Sequence, residues 1–281
     1  MTTPTILLVD NGSSRPDATL NLRRLAAALE EQSGRSVHPV SLQHAHRISP
    51  SALDGRPAAT LEPFLREQLR RGVRDFLVLP LFFGLSRALT AFIPETVARL
   101  EREHGPFSLR QAEILCPLPE GEPRLARILC DNVRSAAGER PPARVVLVDH
   151  GSPRPRVTAV RTRLAEQMGE CLPPGTELSQ AVMERREGRD YDFNGRLLEE
   201  VLTDMARADP AAPVALALLF LSPGRHAGPG GDIEGISRRV EGAFPGFRAL
   251  IPPLVGDHPG LVEILVSRLR TSLLEADPQR G

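Results

Sequence analysis

The sequence contains no lysine; all 35 of its basic residues are arginine. That absence excludes Schiff-base and pyridoxal-phosphate catalysis, which need a lysine amine, and the Walker-type phosphate loop ending in GK[ST]. Aromatic residues are scarce: one tyrosine and ten phenylalanines, too few for a platform on which nucleic-acid bases stack. Neither sign of charge is in excess, 35 basic against 35 acidic. No basic field therefore advertises nucleic acid or an anionic membrane. No apolar run approaches the roughly 20 residues that span a bilayer. The opening "MTTPTILLVD" lacks the basic region of a signal peptide and enters a strand at once. Cysteines number three (Cys116, Cys130, Cys171), scattered and at no metal-ligand spacing. A reducing cytosol fits best, and a cytoplasmic location is expected.

What is present is a phrase written twice. "LLVDNGSSRP" near the N-terminus returns as "VLVDHGSPRP" in the second half. Each copy reads as a buried strand, a Gly-Ser turn and a helix. After the first, Ala18, Leu22, Leu25 and Leu29 recur at helical spacing; after the second, Val157, Val160, Leu164 and Met168 do so. The echo continues: "FLVLPLFFGLSRA" aligns with "VALALLFLSPGRH", setting Arg87 on Arg225 and Ala88 on His226. Between these anchors, "VHPVSLQH" and "LSQAVMER" read as second strands, each followed by an amphipathic helix. With 281 residues at 41% hydrophobic and 25% charged content, the chain has material for two domains of ordinary size. The expected fold is α/β: two similar lobes related by internal duplication, each a mostly parallel sheet flanked by helices. Their bounds are 1–138 and 143–281, joined by the linker "SAAGERPPAR".

Parallel sheets bind ligands beyond the carboxyl ends of their strands. His150 and His226 both follow such ends, so two imidazoles open into one crevice; their counterparts Asn11 and Ala88 cannot replace them. Imidazole serves a transition metal as ligand and titrates near neutrality as a base. Glu184, at the end of the strand between them, is a third candidate, as a proton acceptor or to complete a metal site. Asp232, within "SPGRHAGPGGDIEGI", is expected to cap the helix it opens; the glycines there let backbone pass close to a flat ligand or shape a turn. Arg154 and Arg225, each beside a histidine, suit ligand carboxylates, and Ser152 at a helix N-terminus favours an anion. His44 and His46 in "LQHAH" would share one face of a strand and could hand a metal inward.

The motifs "LVDHGSPRP" and "LFLSPGRHAGPGGDI", in that order, resemble the class II tetrapyrrole chelatases, specifically the sirohydrochlorin chelatases of the CbiX type. "LVDNGSSRP" and "LPLFFGLSRALTAFIPE" match the same pattern without its histidines, so the resemblance covers nearly the whole chain. It implies a lyase that inserts a divalent metal (cobalt or iron, possibly nickel) into sirohydrochlorin or a similar tetrapyrrole in an inter-lobe cleft, on the way to cobalamin or siroheme. It implies no organic cofactor, the metal being a substrate. His150 and His226 would face the metal, with Glu184 at the family's acidic position. Ser152, Arg154 and Arg225, with Arg15 and Arg87 across the cleft, would meet the carboxylate arms of the ring. One departure is that the long members compared carry their histidines in the N-terminal half. Duplication supplies in one chain what a shorter homologue builds as a dimer, so a monomer or weak homodimer is expected.

Two rivals compete. A non-catalytic tetrapyrrole or metal binder could stand on the same scaffold, and turnover discriminates. A histidine phosphatase also places His-Gly after its first strand, but it needs arginine immediately before the histidine to clamp phosphate. Here Asp149 stands there and would repel it. Serine hydrolysis lacks its G-x-S-x-G elbow.

Overall fold

A computed structural model describes residues 3–275. In the first half, β1 (Thr5–Asp10), α1 (Pro16–Ser33), β2 (Val37–Ser41), α2 (Leu61–Arg70), β3 (Asp75–Pro80), α3 (Ile93–His104) and β4 (Ser108–Gln111) alternate strictly. After α4 (Pro123–Ala137) the alternation repeats. It runs through β5 (Arg144–Asp149), α5 (Pro155–Gly169), β6 (Glu177–Val182), α6 (Leu198–Ala208), β7 (Val214–Leu218), α7 (Asp232–Ala243) and β8 (Ala249–Leu250), and α8 (Gly260–Glu275) closes the chain. The strands form two four-stranded sheets, β2-β1-β3-β4 and β6-β5-β7-β8, parallel throughout. The two α/β lobes expected from the duplication are thus present.

The central strands are covered on both faces, which is why they are apolar runs and not alternating ones. Ile6–Val9 and Val145–Val148 are buried without a break. The helix stripe Ala18, Leu22, Leu25 and Leu29 is buried as its spacing requires, and so are Val160, Leu164 and Met168. Each switch in strand order falls beside the first strand of its sheet, where the chain passes from one flank to the other. The turn that follows is glycine for a steric reason. Gly12 and Gly151 sit at φ +83° and +89°, and a β-carbon on either would lie within 2 Å of a carbonyl oxygen, that of Gln43 or Glu184. The loop after the second strand crosses directly over the loop after the first.

Packing does not follow the repeat boundary. One compact unit holds the described residues up to Leu115 together with those from Val262 onward; the other is Cys116–Leu261. The helix ending each repeat therefore packs in the other unit. In the second unit α4 lies against α5 and β7, and the Asn132 amide donates to the Pro253 and Leu254 carbonyls. In the first, Arg268 of α8 donates to the Ile114 carbonyl and pairs with Glu113. An amphipathic stripe dictates that a helix be buried, not which sheet buries it.

Two sequence expectations need correction. Cys130 and Cys171 form a disulfide, although nothing in their spacing indicated a pair. They meet because α4 crosses to lie beside α5, so cysteine usage no longer argues for a reducing compartment. His44 and His46 are not on a strand: β2 ends at Ser41, His44 has φ +65°, and His46 lies in a 3₁₀ turn, Ala45–Arg47. The alternation that would align them on one face is absent. No described helix is long and apolar enough to cross a membrane.

Candidate metal centre

Three loops at the carboxyl edge of the second sheet deliver one side chain each. His150 follows β5, Glu184 stands two residues beyond β6, and His226 lies in the long loop between β7 and α7. One ligand atom from each lies within 4.8 Å of the other two, the only such group of three or more among the described residues. The imidazole centroids are 4.7 Å apart with planes at 77°. His150 Nε2 is 3.4 Å from Glu184 Oε1, and His226 Nε2 is 3.9 Å from Glu184 Oε2.

Both rings are oriented from behind. His226 Nδ1–H donates to Asp232 Oδ2 at 2.8 Å, and His150 Nδ1–H donates to the Gly151 carbonyl at 3.1 Å. Those bonds assign the proton of each ring to Nδ1 and leave both Nε2 lone pairs facing one carboxylate. Acceptors backing imidazoles in this way are what fix the tautomer of metal-binding histidines. The two rings differ in exposure: the His226 side chain is 7% exposed, those of His150 and Glu184 58% and 50%. Burial lowers the His226 pKa, the neighbouring His150 lowers it further, and Asp232 and Glu184 pull the other way. The result is one buried wall and two groups open to an incoming ligand.

The Asp149–Gly151 turn is anchored beneath. Buried Asp149 pairs with Arg161 at 2.7 Å and accepts the Gly151 N–H; burial pushes its carboxyl up while Arg161 pulls it down. Arg161 also donates to the Asn194 carbonyl, and the Asn194 side chain bonds both the N–H and the carbonyl of Ser152. Neither Arg161 nor Asn194 stood out in the sequence, where one reads as a helix charge and the other as part of a polar loop. Asp232 was expected to cap α7, but Gly231 is the cap. Asp232 is the first helical residue, its carboxylate turned to His226. Its spacing of six from His226 was the available signal.

The anion-binding candidates are distributed unevenly. Ser152 lines a cavity with His150 and Glu184, and its hydroxyl accepts the Arg154 backbone N–H. Arg154 is exposed at the start of α5. Arg225, 77% exposed, lies 3.4 Å from Asp232 and 3.9 Å from Glu184, so its charge is already countered. A separate apolar cavity of about 380 Å³ is bounded by Pro223 and Gly228 of the His226 loop and by Ile251–Leu254. It holds no imidazole or arginine.

In the first sheet the frame is retained without its ligands. Gln43 N–H bonds the Asn11 carbonyl just as Glu184 N–H bonds that of His150. Asn11 and Gln43 thus stand where His150 and Glu184 do. Ala88, aligned with His226, begins a π-helical segment (Ala88–Phe92) leading straight into α3, so the long loop has no counterpart.

Among solved structures, SirB from Bacillus subtilis with Fe3+ superposes with a TM-score of 0.74 at 16% identity, covering 99% of this chain and 98% of that one. SirB from Bacillus subtilis subspecies spizizenii in complex with cobalt gives 0.68 at 18%, with the same coverage. CbiX, described as the terminal enzyme for biosynthesis of siroheme in denitrifying bacteria, gives 0.58 at 16%, covering 95% and 99%. No curated protein matches in sequence. The CbiX family pattern matches twice, over residues 5–136 and again over 144–272. The chain belongs to the CbiX family and carries the family's domain in tandem.

Proposed function

We propose that this protein inserts a divalent metal into sirohydrochlorin or a closely similar tetrapyrrole, with His150, Glu184 and His226 handling the ion. One observation carries the reading: three ligand atoms from three separate strand-end loops converge within 4.8 Å. Family membership and the likeness to SirB and CbiX structures support it.

The chemistry asks for three things: stripping water from a hydrated cation, removing two pyrrolic protons, and holding the ring. Two imidazole Nε2 atoms and a carboxylate replace part of the hydration shell while leaving positions open for the ring nitrogens. A closed four-ligand site would hold the ion too tightly to release it. Glu184, half-exposed and beside both imidazoles, accepts one pyrrolic proton as the metal moves into the ring, and an imidazole Nε2 released by the departing ion accepts the other. Ser152 and Arg154 serve the carboxylate arms, while Arg225 is countered by Asp232 and Glu184. Cobalt, iron and nickel all suit imidazole and carboxylate donors.

The test mixes the protein with sirohydrochlorin and Co²⁺, Fe²⁺ or Ni²⁺ in turn and follows the absorbance change on metallation. His150→Ala and His226→Ala should each bring the rate down to the spontaneous one. Wild-type rates in both variants refute the site. Binding of the ring by the wild-type protein without metallation refutes the enzyme and leaves a carrier.

A further inference from the structure

The cavity that Ser152 shares with the candidate metal centre has a volume of about 300 Å³ and is walled by His150, Gly151, Ser152, Pro153, Glu184, Arg185 and Arg186. Its two arginines are in different states. Arg185 is spent within its own loop, donating to the Gly195 carbonyl and pairing with Asp192 at 2.6 Å. Arg186 has no carboxylate partner among the described residues. It is held instead by the only tyrosine of the chain: its guanidinium carbon lies 5.6 Å from the Tyr191 ring centroid, and its Nη1 donates to the Tyr191 hydroxyl at 3.2 Å.

That combination is informative. A guanidinium has five N–H donors in a rigid fork, and the Tyr191 hydroxyl engages one of them. None of the remaining donors forms an ion pair among the described residues. Arg225, by contrast, is countered by Asp232 and Glu184. The Ser152 hydroxyl accepts from Arg154 N–H, which leaves its own hydrogen to donate. The cavity therefore offers a tethered cation and a hydroxyl donor in the same lining as His150 and Glu184.

We propose that this cavity is a carboxylate subsite: Arg186 grips one carboxylate arm of a polycarboxylate tetrapyrrole in bidentate fashion, and Tyr191 is the positioning residue that orients Arg186. The subsite rests on the insertion reading for the identity of its ligand. It fixes the rotation of the ring relative to the three metal-facing side chains. A planar carboxylate matches the guanidinium fork, and such charge-assisted pairs are about twice as strong as neutral hydrogen bonds.

The experiment measures the Kd of metal-free sirohydrochlorin by absorbance titration, and separately the Kd of Co²⁺ alone, for wild type, Arg186→Gln and Tyr191→Phe. Arg186→Gln should weaken the tetrapyrrole about tenfold or more and leave the Co²⁺ Kd unchanged within twofold. Tyr191→Phe, which keeps the ring face and loses the hydroxyl, should fall between. A ring with methyl-esterified arms should bind wild type and Arg186→Gln equally. Equal Kd values for free sirohydrochlorin in wild type and Arg186→Gln, both folded by circular dichroism, overturn the subsite. A wild-type protein that binds the ring and never metallates it overturns the insertion reading alone, and the Arg186→Gln comparison still decides the subsite.

Discussion

Asp10 and Asp149 occupy the same place in the two repeats, but among the described residues only Asp149 is paired with a cation. Asp149 meets the guanidinium of Arg161; the residue aligned with Arg161 in the first repeat is Leu22, a core side chain 1% exposed. Asp10 Oδ1 consequently has no hydrogen-bond partner, and burial raises the carboxyl from 3.8 to about 6 against the opposing pull of the Ser41 hydroxyl and the Gly12 N–H. Below pH 3.8 both folded and unfolded chains carry the proton, and the residue costs nothing. As pH rises past 3.8 the unfolded chain ionises first, and folding stability falls until about pH 6, beyond which the penalty is complete. At about 1.4 kcal/mol per pH unit, the gap amounts to about 3 kcal/mol, an upper figure because the buried site relaxes. Asp10→Asn keeps the shape and removes the charge. Urea unfolding followed by far-ultraviolet circular dichroism should show the variant more stable at pH 7.5, by up to about 3 kcal/mol, and the difference should vanish near pH 4. A variant equal to wild type at pH 7.5, or less stable there, would refute the argument that Asp10 is a buried, uncompensated charge.

Removing the carboxylate behind His226, by Asp232→Ala, should weaken Co²⁺ binding about 10- to 100-fold, the usual cost of losing such an orienting partner. Calorimetric titration measures it, and an unchanged affinity would mean the hydrogen bond does not set the ring. Replacing Cys130 and Cys171 together by serine should lower unfolding stability by about 4 kcal/mol, since the closed loop spans 41 residues. Added reductant should then destabilise wild type and leave the double variant unaffected; equal sensitivity of the two would argue against the disulfide.

Much of the site was legible because duplication supplies its own control. A strand end carrying histidine in one copy and asparagine in the other isolates His150 from the turn that both copies need. Gly12 and Gly151 are common to both because backbone crosses at that point in each, a requirement of the fold and not of the ligand. Buried parallel strands and helix stripes likewise announce themselves through periodicity. What stayed hidden depends on contacts far apart in sequence. Asn194 joins Ser152 and Arg161 through a loop that reads only as polar. The disulfide depends on which sheet α4 chooses, and Asp232 faces His226 only through the shape of the intervening glycine-rich loop.

The terminal helix of each repeat serves its neighbour's fold and not its own. An ancestor encoding one copy would have needed a second molecule to trade helices with, making it an obligate pair. Within one chain that exchange is intramolecular. A copy without the histidines still lends a helix and receives one in return.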